Sequence, residues 1–173
     1  MRPMIFIFVL SILCLLSGIS HANRSLPIVG NISCRNFINQ LNYDFERYNY
    51  NVSLTSSKYD ANLSTPQLVA YTSRTPSYVS INFYTRGNDI YRISAIFEIE
   101  NTLMTEEAIK VLSVSCIEAG MNNEELDELF HWDSTGSDIA ESRIFSRKLN
   151  RRIDSVVITN DNLACLSIMA FDY

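Results

Sequence analysis

Two alternating apolar–polar runs, Tyr78–Thr85 and Ile90–Ile99, meet at the tetrapeptide Arg86-Gly87-Asn88-Asp89. A Gly-Asn turn between alternating runs is a β-hairpin signal, and it commits the middle of the chain to an antiparallel sheet. In the second run Tyr91, Ile93, Ala95, Phe97 and Ile99 share one face, while Arg92, Ser94 and Glu98 share the other with Ile90 and Ile96. That pattern predicts one core face and one partly wet face. Further strand signals lie at Tyr50–Leu54, Gln67–Ser73, Ser142–Leu149, Ile153–Thr159 and Leu163–Phe171, with a second tight turn at Asn160-Asp161-Asn162.

Helical spacing interrupts the strands twice. Phe37, Leu41, Phe45 and Tyr48 recur at steps of four, four and three behind Ser33, which can cap the helix. Ile109, Leu112, Cys116 and Ala119 form the stripe of a central helix, capped by Thr105 and stopped by Gly120. Val111 and Val114 on its other side make this helix apolar nearly all round, as a deeply buried helix is. Asn123 is placed to cap a short helix over Glu124–Phe130. The order of blocks predicts an α+β fold: a single antiparallel sheet with the N-terminal, central and short helices packed on one face.

The first 22 residues stand apart from this pattern. Arg2, an apolar run from Met4 to Leu16, and Ser20-His21-Ala22 before a cleavage point read as a signal peptide. The run is shorter than the roughly 20 residues that span a bilayer. Cleavage after Ala22 leaves 151 residues, the size of one domain, with an extended lead-in over 23–33 and the folded unit over 34–173. The expected location is the bacterial periplasm or the extracellular space. Four Asn-x-Ser sequons, at Asn23, Asn31, Asn51 and Asn62, are about what an Asn- and Ser-rich composition produces by chance.

Of the four cysteines, Cys14 falls in the leader and Cys34, Cys116 and Cys165 remain. Export implies an oxidising setting and one disulfide. Cys116 on the inner stripe of the central helix and Cys165 in the last strand are the preferred pair.

Charge and motif content exclude several function classes. Without Arg2 the chain carries 13 basic and 19 acidic residues, a net charge of −6. Nucleic acid calls for a basic surface, and anionic lipid for a polybasic segment. G-x-S-x-G, H-E-x-x-H, C-x-x-C, phosphate-binding glycine loops and the calcium-loop spacing are all missing. His131 is the one histidine after the leader, so no catalytic residue, cofactor site or metal site is assigned.

This layout is similar to that of small exported bacterial proteins of uncharacterised function. The likeness rests on the leader, the Phe37-Ile38-x-x-Leu41 helix, the strand meander, the helix ending in Ala119-Gly120 and the closing strands. It is architectural, implying a fold and no activity.

What remains is a two-signed surface. An acidic run around Glu124, Glu125, Glu128, His131 and Trp132 precedes a basic one containing Arg143, Arg147, Lys148, Arg151 and Arg152. The functional expectation is therefore an exported, non-enzymatic binding protein that docks another exported protein through these residues, in the manner of an inhibitor or immunity protein. Two alternatives stand beside it: a carrier of a small apolar ligand or lipid, and a weak hydrolase using His131 and the neighbouring carboxylates.

Overall fold

The computed structural model describes residues 24–56, 67–72, 79–132 and 138–172. The leader with Cys14 lies outside them, as do Asp133 and the sequon residues Asn23 and Asn62.

Among the described residues, eight strands form one sheet in which every pairing is antiparallel. They are β1 (Ser25–Leu26), β2 (Leu54–Ser56), β3 (Gln67–Thr72), β4 (Ser80–Arg86), β5 (Asp89–Glu98), β6 (Ile139–Ser146), β7 (Arg151–Asn160) and β8 (Leu163–Phe171). The spatial order is β2-β3-β4-β5-β8-β7-β6, with β1 added on β8. Strands β2 to β5 run as a meander. The chain then passes through two helices, re-enters at the far edge as β6, and returns through β7 so that β8 closes against β5.

Among the described residues, three helices accompany the sheet: α1 (Cys34–Arg47), α2 (Thr102–Ala119) and α3 (Asn123–Leu129). Ser33 caps α1, its side chain accepting from Asn36 N at 3.3 Å. Gly120 ends α2 in the left-handed conformation at φ +110°, where a β-carbon is unfavourable. The cap of α2 is Asn101, not Thr105: Asn101 Oδ1 accepts from Met104 N at 3.3 Å, which adds a turn and buries Met104. Likewise Asn122, one residue earlier than expected, caps α3.

All three helices cover the same face. Their apolar side chains, including Phe37, Leu41, Phe45, Val111, Leu112, Leu126 and Leu129, join Ile81, Phe83, Ile93, Ala95, Leu166, Ile168 and Ile153 in one cluster. Ile90 also belongs to it, although alternation placed it on the other face. The register slips by one between Tyr84/Arg92 and Thr85/Ile90, so Tyr91 has no partner of its own and Ile90 changes sides.

Along β4, β5 and β8 the second face is not wet. Ser94 is 1% exposed, Asn82 4% and Arg92 7%. Ser94 and Ser167 share a hydrogen bond of 2.8 Å, and the Arg92 guanidinium stacks 3.7 Å from the Tyr84 ring centre. The paired hydroxyls can be buried at little cost, and the ring face offsets part of the cost of burying the guanidinium. A smaller apolar cluster of Ile96, Val156, Ile158, Cys165 and Met169 lies on this face and draws every member from strands.

The expected Cys116–Cys165 disulfide is overturned by this geometry. Both remain thiols, as does Cys34. Cys116 sits in the helix-side cluster, whereas Cys165 pairs in register with Ile96 and Ile158 on the opposite face. The sheet stands between them. Burial pushes the Cys116 and Cys34 thiols up to about 12, so neither is a thiolate near neutral pH.

Candidate interaction surface

The α3 helix and the β6–β7 turn are tied together by one carboxylate. Asn122 Oδ1 accepts from Glu125 N at 2.9 Å while Glu125 Oε2 accepts from Asn122 N at 3.1 Å, a reciprocal cap. The other oxygen, Oε1, accepts from Arg147 N at 3.1 Å, just beyond the end of β6. At the other end of α3, Ser142 Oγ donates to Glu128 O at 3.0 Å. These bonds hold the helix alongside β6 and leave an open groove of about 820 Å³, lined by Asn122, Glu124, Glu125, Glu128, Phe145, Arg147 and Lys148.

The groove has an acidic wall from α3 and a basic wall from the turn. Phe145, which also lines it, is 43% exposed. Five residues of the expected charge blocks therefore come together: Glu124, Glu125, Glu128, Arg147 and Lys148. Phe145 and Asn122 were not singled out from the sequence. The signal for Phe145 was the alternation Ile139, Glu141, Arg143, Phe145, which places an exposed aromatic at the end of a charged strand face.

The remaining expected residues lie elsewhere. Trp132 is half-buried and structural, with Nε1 donating to Ser155 Oγ at 3.1 Å and its ring edge-on to Phe130 at 5.7 Å. His131 is exposed beside it and does not line the groove. Arg151 donates through Nε to Leu149 O at 3.1 Å and through Nη1 to Pro27 O, fastening the lead-in to the β6–β7 turn.

Arg143 and Arg152 lie on the second sheet face and converge on Asp154. Arg152 Nη2 donates to Asp154 Oδ2 at 3.2 Å, and Arg143 Nε lies 3.6 Å from the same oxygen. Arg143 also meets Glu141 at 2.7 Å, and Arg152 lies over the Phe171 ring at 4.8 Å. Burial of Asp154 raises its carboxyl above the usual range, and the two guanidinium groups offset only part of that. The basic block thus pairs with Glu141 and Asp154, and Arg147 reaches the α3 acids through its main chain.

Among the described residues, no group of three or more His, Cys, Asp and Glu side chains could hold a metal ion, and no helix is long and apolar enough to cross a membrane. No protein-family model matches the chain, and no curated protein or solved structure is detectably similar to it.

Proposed function

We propose that this chain is an exported, non-enzymatic binding protein that docks another exported protein along the groove between α3 and the β6–β7 turn. One observation carries the reading: acidic side chains of α3, basic side chains of the turn and the exposed Phe145 line one groove of about 820 Å³. Opposed charges around an aromatic set the orientation of a partner and speed its approach, and an aromatic anchor supplies apolar contact. A lining of five ionisable side chains with one aromatic suits a polypeptide better than a lipid or small apolar ligand.

The test is retention from the exported fraction of the source cells on the immobilised chain, compared with Glu124→Lys/Glu128→Lys. The wild type should hold a protein that the variant does not. Raising the salt should release it, since exposed charge pairs are screened. Equal retention by both forms, or none by either at low salt, would refute the reading.

A further inference from the structure

We propose that the groove between α3 and the β6–β7 turn takes a polypeptide segment of both signs, a cationic side chain of the partner meeting Glu124 and Glu128 and a carboxylate meeting Arg147 and Lys148. The inference rests on the proposed function and deepens it by stating the chemistry of the partner.

The bonding of each charged side chain separates those that hold the fold from those that do not. Glu125 belongs to the fold, because its two carboxylate oxygens accept from Asn122 N and Arg147 N. In the basic block, Arg143 is held by Glu141 and Asp154, and Arg152 by Asp154. Arg151 donates to Leu149 O and Pro27 O. Four exposed charges are left. Among the described residues the side chains of Glu124, Glu128, Arg147 and Lys148 make no hydrogen bond or ion pair, although all four line one groove. Acids and bases that share a groove without meeting each other are open to an occupant that meets both.

Placement then selects the occupant. Glu124 and Glu128 are one turn apart on α3, so their carboxylates share a helix face and repel each other. Arg147 and Lys148 are neighbours in the turn after β6 and are likewise of one sign. A cation at α3 relieves the first repulsion and an anion at the turn relieves the second. A wholly basic segment gains at α3 and is repelled at the turn, and a wholly acidic one the reverse. The groove thus discriminates by repulsion as well as by attraction. Phe145 lines it too and is 43% exposed, which favours an apolar residue in the same segment. At about 820 Å³ the groove has room for several residues of an extended chain, and not merely for one free amino acid.

Short blocked peptides with a central leucine test this, their binding to the purified chain followed by amide chemical shifts. One class carries a lysine and a glutamate, made in both orders; the others carry two lysines or two glutamates. The wild type should bind a two-signed peptide about tenfold more tightly than either one-signed peptide. Glu124→Lys/Glu128→Lys makes the free charges of the groove wholly basic and should move the preference to the glutamate peptide. Arg147→Glu/Lys148→Glu should move it to the lysine peptide. Circular dichroism checks folding. Should a reversal unfold, Glu124→Gln/Glu128→Gln and Arg147→Gln/Lys148→Gln decide, by erasing the preference for lysine and for glutamate respectively. Equal affinities, no binding of any peptide at millimolar concentration, or variants that keep the wild-type order overturn the proposal. An exported protein retained by the wild type and lost in Glu124→Lys/Glu128→Lys, without sorting of the peptides, overturns this inference alone. Peptides sorted as stated, with no exported protein retained, overturn only the proposed function.

Discussion

Asn42 is the residue whose loss most directly tests how the sheet ends. Its side chain pairs with one residue of β2 in both directions: Nδ2 donates to Leu54 O at 2.9 Å, and Oδ1 accepts from Leu54 N at 2.7 Å. β2 is three residues long and, among the described residues, pairs with β3 alone, so the amide of Asn42 takes the place of a strand beyond it. Each such bond contributes about 1 kcal/mol net, so Asn42→Ala forfeits about 2 kcal/mol. Alanine is the better helix former by about 0.6 kcal/mol, which leaves a net cost of about 1.5 kcal/mol. Asn39→Ala, at an exposed position of the same helix, carries the helix gain without the loss and is the control. The melting temperature of Asn42→Ala should fall by about 3–6 °C for a domain of this size. Amide exchange at Leu54 should lose its protection. If Asn42→Ala is as stable as Asn39→Ala, β2 is not anchored as described.

Other substitutions and measurements report on separate parts of the fold. Titration of the denatured, unreduced chain from residue 23 onward should count Cys34, Cys116 and Cys165 as three thiols; a count of one would restore a disulfide. Glu118 is held above the usual carboxyl range by burial and then by the buried Asp44, against the pull of Arg47. Its folded pKa exceeds the unfolded one, so stability falls as pH rises through that interval and stays lower above it. Glu118→Gln should therefore stabilise the chain at pH 7 by less than about 1 kcal/mol, and not at pH 3, as thermal melts would show. Asn122→Ala should cost about 1 kcal/mol in denaturant unfolding by removing the α3 cap. Glu125→Ala should cost more, because Arg147 N also loses its acceptor.

The elements themselves were largely legible in the residues. The Ser33 cap, the Gly87-Asn88 turn, the Gly120 stop and the run of β8 follow from local chemistry, and the structure has them within a residue or two. What local chemistry could not give was the side of the sheet. In β8, alternate residues on both faces are buried, from Ala164, Leu166, Ile168 and Ala170 toward the helices to Cys165, Ser167 and Met169 away from them. Alternation of polarity carries the face only when one side is wet, and here neither is. Cys165 was therefore assigned to the helices when it belongs to the other side. The same blindness made Ser94 and Arg92 read as partly wet. Their burial depends on the Ser167 hydroxyl and the Tyr84 ring, which belong to other strands and have no local signature. In the candidate site, the acids and Arg147 were legible as charge blocks, whereas Phe145 needed the strand register.

The two ends of the sheet are treated differently, and the difference bears on function. An open strand edge invites indiscriminate pairing, and proteins restrain it by shortening the strand, covering it or charging it. At β2 the strand is three residues long and Asn42 covers Leu54. At β6 the strand runs for eight residues, and Glu125 takes the amide of Arg147 just beyond its end. Protection there comes from Glu141 and Arg143, placed side by side with opposite signs. Two like charges would repel another copy in the symmetric register and still attract an oppositely charged strand. A Glu–Arg alternation instead penalises registers that bring like charges opposite and admits the one that crosses them. Along β6 that alternation does what a short strand and the Asn42 amide do at β2, and α3 runs beside its C-terminal end, where Glu125 takes the amide of Arg147.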